Sequence, residues 1–407
     1  MAAALLLGLG RPARAVELVP FYNLNLMGGQ YFFSGAKSNI NGNATANVAP
    51  VLKFSDKLAV MPVYNLVYQG TKQVTDSVGA GTLYQQLMDH RVSLTGIVTP
   101  ASSSWKHKPT LSYKREFLKE TRDEAWGKGL FDYWKFGMGY EAENVYKEPF
   151  SYRLGYDFYY VAFPNFQSLE SQVGVDPSGN PLSRAGAGKN LLNTINNQLS
   201  ASVTRPFPYD SPKVSLGAYY SLNWQRFVDQ PIVMANGMPA SVGRNDFIQS
   251  TSLTVLHPRQ LRGGEYRLVT GGTLGLTYAS SDQNEYDASN AKFIPNAYSY
   301  WQVSLGPSFA LSWGEQKQPT SASMSLTYSR TQYMGRLAQS AAGVYLGQRQ
   351  RQDRVLLSLG YSYPIAPNFS LKAQSNFLWA SSNMAYQALY RYTYSTANYL
   401  FGFTYDY

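Results

Sequence analysis

The sequence predicts an all-β chain closed into a single transmembrane antiparallel up-and-down β-barrel of about 16 strands (roughly 14–18). Three observations predict it. Charged and aromatic residues each make up 15% of the 407 residues, with 33 Tyr and 20 Phe; soluble domains carry about 25% charged residues. Mean hydropathy is nonetheless -0.29, and no run after the N-terminus reaches the ~20 apolar residues that a spanning helix needs. Apolar and polar residues instead alternate with period two, as the two faces of a membrane strand require.

The chain opens with "MAAALLLGLGRPARAVELVP". Ala2 to Gly10 is a short apolar run, and Ala13-Arg14-Ala15 is a small-x-small site. Residues 1–15 are therefore expected to be a secretory signal peptide cut after Ala15, and 16–407 the barrel domain. A short buried helix is the competing reading. The absence of cysteine excludes disulfides, thiolate metal sites and cysteine nucleophiles.

The alternation places strands at 21–33, 47–55, 58–70, 84–98, 107–119, 129–144, 150–164, 192–207, 212–229, 245–257, 264–280, 297–315, 319–335, 350–364, 368–384 and 396–407. The segment from Val214 to Trp224 shows the pattern. Val214, Leu216, Ala218, Tyr220, Leu222 and Trp224 alternate with Ser215, Gly217, Tyr219, Ser221 and Asn223. Such segments match the ~9–11 residues of a tilted spanning strand. The connections alternate too. Short ones, such as Ser55-Asp56-Lys57 and "GEQKQP", are followed by long ones after residues 33, 70, 119, 164, 229, 280, 335 and 384. Outer-membrane barrels have short periplasmic turns and long extracellular loops, and an even strand number puts both termini in the periplasm. A soluble sandwich would have strands of about five or six residues and an aliphatic inner face. Here the apolar face ends in Tyr and Trp, as an interfacial girdle does.

The last ten residues, "NYLFGFTYDY", put Phe401, Phe403, Tyr405 and Tyr407 on alternate positions. This stretch resembles the terminal strand of bacterial outer-membrane β-barrel proteins, which ends in an aromatic residue. The resemblance implies that these four residues form the signal read by the barrel assembly machinery. Across the mature chain the pattern is similar to that of the porin class. No residue string fixes a subfamily.

Chemistry-bearing motifs are sparse. His90 is followed three residues later by Ser93, which places the pair on opposite faces of a strand. His107 and His257 precede Lys108-Pro109 and Pro258-Arg259 and read as turn residues. "AGAGKN" at Ala185 to Asn190 lacks the spacing of a phosphate loop, because Ser183 and Asn190 stand where Gly and Ser/Thr are needed. The sequence thus implies no catalytic residue, no cofactor and no metal. The formal charge of +10 is scattered and lacks the basic block of a nucleic-acid binder.

Alternation assigns to the lumen Lys53, Arg91, Lys114, Glu116, Lys135, Glu141, Arg153, Asp157, Arg267, Arg354, Lys372 and Asp406. Basic residues predominate, and rings of Lys and Arg favour anions. Charges of both signs also pair across a lumen and brace its walls. The longest connection, Pro164 to Leu191, carries Arg184 and Lys189. In general porins one long loop folds inward, so resemblance makes these two the constriction candidates; a loop standing in water is the alternative. The implied function is passive passage of small hydrophilic solutes, anions among them. The alternative is an export barrel for a polysaccharide or surface lipoprotein with a periplasmic partner, with lumen Tyr133, Tyr159 and Tyr219 stacking on sugars. The expected partners are outer-membrane lipid, the assembly machinery, and either other copies of the chain or a periplasmic protein.

Overall fold

A computed structural model describes residues 16–34, 39–71, 73–76, 81–84, 86–101, 103–121, 123–144, 150–167, 188–207, 214–287, 290–387 and 391–407. The expected signal peptide, 1–15, lies outside the described residues. The main sheet is a closed antiparallel barrel of sixteen strands, and two small hairpins, Gln73–Asp76 with Gly81–Tyr84 and Glu285–Asp287 with Lys292–Ile294, lie outside it.

In chain order the strands are β1 (Tyr22–Phe33), β2 (Asn39–Val48, continued by Val51–Ser55), β3 (Leu58–Gln69) and β4 (Gln86–Val98). Next come β5 (Lys106–Lys119), β6 (Tyr133–Asn144), β7 (Ser151–Ala162) and β8 (Thr194–Phe207). The chain continues through β9 (Val214–Val233), β10 (Pro239–Leu261), β11 (Tyr266–Ser281) and β12 (Tyr300–Trp313). It ends with β13 (Thr320–Gln339), β14 (Tyr345–Ala366), β15 (Phe369–Ser382) and β16 (Tyr394–Asp406). Each strand pairs with the next in sequence. Glu17–Val19 extends the sheet by pairing with Val51–Lys53.

β16 pairs with β1 from Asn23↔Asp406 to Phe33↔Thr396 and so removes both sheet edges. The seam continues to the last residue. Tyr22 N–H donates to the Tyr407 carbonyl at 2.9 Å, and Tyr407 N–H returns a bond to Tyr22 at 2.8 Å. Two glycines let the two backbones meet. A Cβ on Gly402 would lie 1.8 Å from the Leu26 carbonyl oxygen, and one on Gly29 would lie 1.9 Å from that of Tyr399.

Every expected strand has its counterpart, and several ends differ. The second strand starts at Asn39 rather than residue 47. Its first half, "NINGNATA", is too polar to show a membrane alternation, yet it pairs fully with β1. β6 starts at Tyr133, because 129–132 form a turn held by Asp132. His107 and His257 lie inside β5 and β10, not in turns.

Three connections expected to be long are short. β1 and β2 are separated by 34–38, of which 35–38 lie outside the described residues; β9 and β10 join across 234–238, and β13 and β14 across 340–344. In the last two pairs the strands overrun the membrane as polar hairpins. β9 reaches Val233 and β14 begins at Tyr345, with Gly237 and Gly343 at positive φ in the turns. The opposite end has short turns, such as 367–368 between β14 and β15, and it carries both barrel termini.

Well-buried apolar clusters sit inside the long-loop mouth rather than at mid-barrel. One joins Tyr31, Phe33, Ala380 and Tyr394; the other joins Leu118, Phe131 and Leu192. Loop feet therefore fill part of the mouth. The described part of the 282–299 connection also turns inward, with Ala297 and Ile294 buried.

Candidate lumen site

Cross-strand partners share a face, so the ladder sorts every strand residue. Leu94, Leu111 and Met138 lie in one row across β4–β6 and are 49%, 52% and 49% exposed. A belt of exposed leucines on a closed sheet is stable only against lipid. Aromatic residues bound it. Tyr278, Trp301, Tyr328 and Trp379 mark the long-loop side, and Tyr266, Trp313 and Tyr361 the short-turn side.

The other face is polar. One wall, β2 to β7, is heavily charged. Arg91 pairs with Lys114, and Lys114 with Lys135, giving three cations side by side. Lys114 is answered by Asp89 at 3.0 Å and Glu116 at 2.7 Å. Lys135 and Arg91 have no carboxylate within 4.0 Å among the described residues. Lys135 instead stands over the Tyr159 ring, 3.4 Å from its centroid. The facing wall, β11 to β14, is lined by small hydroxyls and glycines, among them Ser304, Ser308, Ser325 and Ser358 with Gly271 and Gly275. Neither wall has the apolar filling of a soluble core.

The fold is that of an outer-membrane β-barrel. The barrel's own ladder, its apolar outer belt and its charged inner face carry that assignment. No family model matches the chain, and no curated protein matches it. Solved structures similar to it include outer-membrane expressed OmpT of Vibrio cholerae, at 11% identity and TM-score 0.46 over 98% of this chain and 99% of that one. Another is OccD3 of Pseudomonas aeruginosa, at 9% identity and TM-score 0.46 over 97% and 93%. A bacterial polysaccharide outer membrane secretin has 11% identity and TM-score 0.45 over 95% and 98%.

All twelve lumen candidates lie on the inner face of the barrel by their ladder partners, but they do not form one site. Arg91, Lys114, Glu116, Lys135 and Asp157 crowd the β4–β7 wall. Glu141 receives Lys108 at 3.1 Å, and Arg153 reaches Glu143 at 3.3 Å, closer to the short turns. Lys53 pairs with Glu17 at 3.2 Å. Arg267 and Lys372 each face a serine, Ser312 and Ser362. Arg354 donates to Gln352 at 3.2 Å. Asp406 accepts a bond from Asn23 at the seam.

Sequence reasoning missed Asp89, Lys108, Glu143, Arg244 and Asp246 on this face. Lys108 and Glu143 lie near strand ends, where the alternating apolar signal fades. Arg244 and Asp246 lie where β10 overruns the membrane. They pair at 2.6 Å, and the Arg244 guanidinium sits over Phe227 and Tyr298 at 4.1 and 4.4 Å. Tyr298 comes from the inturned 282–299 connection. With Tyr133, Lys135, Tyr159, Asn196 and Asn223 it lines a cavity of about 460 Å³ in the upper lumen.

Of the constriction candidates, Arg184 lies outside the described residues. Lys189 is exposed and bridges to Gln167 through the backbone. His90 faces outward, with Nδ1 2.9 Å from the Tyr64 hydroxyl, while Ser93 faces the lumen.

The 120–132 connection is anchored by Asp132, which is fully buried and accepts the Leu118 N–H at 2.7 Å. Burial raises its carboxyl above the ordinary range, partly offset by that hydrogen bond. Burial also raises Glu120, with Glu124 beside it adding to the shift.

Proposed function

We propose that the protein is a non-enzymatic outer-membrane channel that passes small hydrophilic solutes and prefers anions. The observation that carries this reading is the cation row Arg91–Lys114–Lys135 on the inner wall of a sixteen-stranded barrel. Barrels of about eight strands are filled by their own side chains, whereas about sixteen leave an aqueous channel. The carboxylates on this wall, Asp89, Glu116, Asp157, Glu141 and Glu143, stand among its cations, and the basic excess of eight to four over the twelve candidate positions lowers the barrier for an anion. The candidate lumen residues missed by the sequence add cations and anions in near balance, so the basic excess persists.

Passage is passive. Width, lumen charge and the inturned 282–299 connection select the solute. Arg91 and Lys135 draw the anion inward, and Lys114 is neutralised by its two carboxylates. The experiment is solute uptake by proteoliposomes carrying the purified protein. A small organic anion is expected to enter faster than a cation of equal size, and equal or reversed rates would sink the anion preference.

The tyrosines around the upper cavity favour a second reading, the export of a polysaccharide with a periplasmic partner. Tyr133, Tyr159 and Tyr298 offer ring faces to a sugar. Oligosaccharide binding to a barrel that conducts no ions would support this reading over the first.

A further inference from the structure

We propose that the outer surface of β13 and β14 carries a binding site for a lipid headgroup bearing a phosphomonoester, in the leaflet on the long-loop side. The site is a cluster of charges on the lipid-facing side of the wall, where charge is otherwise avoided. It does not rest on the channel reading.

The outer faces of these two strands change character at one row. Along β13 the outward residues are Ala322, Met324, Leu326 and Tyr328, followed by Arg330 and Gln332. Along β14, from the short-turn side, they are Tyr361, Leu359, Leu357 and Val355, followed by Asp353, Arg351 and Arg349. The break falls at the aromatic girdle. Tyr328 pairs with Val355, and Val355 with Trp379; two outward rows further on, past Arg330–Asp353, Trp301 pairs with Gln332. Aromatic girdles sit at headgroup depth, so the arginines stand among headgroups rather than acyl chains.

Two arginines share one carboxylate. Arg330 Nε donates to Asp353 Oδ1 at 2.7 Å, and Arg351 Nε lies 3.1 Å from Oδ2. The Tyr328 hydroxyl also donates to Oδ1 at 2.7 Å. Asp353 thus holds both guanidinium groups through one nitrogen each and neutralises one of the two charges. Arg349 is exposed one outward position further on. Asn383 fixes this stretch of β14, accepting the Arg351 N–H at 2.8 Å and donating to the Arg349 carbonyl at 2.9 Å.

The result is a fixed fork of donors with excess positive charge, 41% and 46% exposed at Arg330 and Arg351. Planar guanidinium groups recognise phosphate oxygens bidentately. The apolar surface directly beneath, at Leu326 and Leu357, takes the acyl chains of the same molecule. That continuity selects a lipid headgroup over free phosphate.

The test uses the full barrel in nanodiscs of phosphatidylcholine doped with phosphatidic acid as the phosphomonoester probe. Native mass spectrometry then counts the lipids retained on release. The unmodified protein is expected to retain phosphatidic acid about tenfold over Arg349→Gln/Arg351→Gln, which leaves the Arg330–Asp353 pair in place. Asp353→Asn, which removes only negative charge, is expected to raise retention. Equal retention in all three, or no preference for phosphatidic acid over phosphatidylcholine, overturns the site. Displacement of the lipid by millimolar inorganic phosphate would show a free-phosphate site and overturn the lipid assignment.

Discussion

Lys114 and Lys135 are direct cross-strand partners on the inner wall. Like charges so placed repel by about 0.2–1 kcal/mol. Asp89 and Glu116 relieve Lys114 at ion-pair distance, whereas Lys135 stacks on the Tyr159 ring and has Asp157 nearby on the same face without an ion pair. Lys135→Gln removes the repulsion and the ring contact together, two effects of similar size and opposite sign, and is therefore expected to change stability by less than about 1 kcal/mol. Lys114→Gln strands two carboxylates and is expected to destabilise it. Urea unfolding in lipid vesicles measures both, and a Lys135→Gln loss equal to that of Lys114→Gln would refute the assignment.

Leu111 is half exposed near the middle of β5, in the outer row with Leu94 and Met138. Leu111→Arg is expected to cost about 2–4 kcal/mol in a bilayer, the penalty for a cation at mid-depth. Leu111→Ala leaves the position apolar and costs far less. A small effect of Leu111→Arg on folding into vesicles would mean that this face does not meet lipid.

The seam between β1 and β16 depends on Gly402 and Gly29, where a Cβ would strike a carbonyl oxygen. Gly402→Val is expected to block closure and leave the chain unassembled. Tyr407→Asp is expected to impair insertion by the assembly machinery, because the resemblance makes this residue part of the signal. Heat-modifiability on gels, which reports closed barrels, reads both. Normal assembly of Gly402→Val would contradict the seam geometry.

Asp132 carries a pH dependence of known sign. Its folded carboxyl lies above the ordinary value because it is buried, so the folded state holds its proton more tightly than the unfolded state. The stability it lends the 120–132 connection is full below the unfolded value and falls as pH rises through the folded one. Hydrogen exchange of this connection, corrected for intrinsic rate, should show weaker protection at neutral than at acid pH. Asp132→Asn should flatten that slope. Asp132→Ala leaves the buried Leu118 N–H unpaired at about 1–3 kcal/mol. An unchanged slope in Asp132→Asn would remove Asp132 from the account.

The barrel was legible in the sequence because lipid and water impose opposite chemistries on alternate residues. Val214 to Trp224 and Phe401 to Tyr407 each declare a strand and its two faces at once. Where strands leave the bilayer the constraint lapses, so "NINGNATA" and the overhangs of β9, β10, β13 and β14 gave no alternation to read. The lumen face could be assigned by parity. Its grouping could not, since the Arg91–Lys114–Lys135 row depends on the register between neighbouring strands, which the alternation within each strand does not encode. The inturned 282–299 connection likewise had no local signature: Tyr298 matters through its stacking on Arg244, which no spacing encodes.

The central claim is an open, anion-preferring channel, and reversal potential tests it most directly. The purified protein is placed in a planar bilayer under a potassium chloride gradient, and single-channel currents are recorded. The account predicts a stable ohmic conductance whose reversal potential lies on the chloride side, shifting toward zero in Arg91→Gln/Lys135→Gln. No conductance, or a potassium-side potential that this variant leaves unchanged, would contradict it.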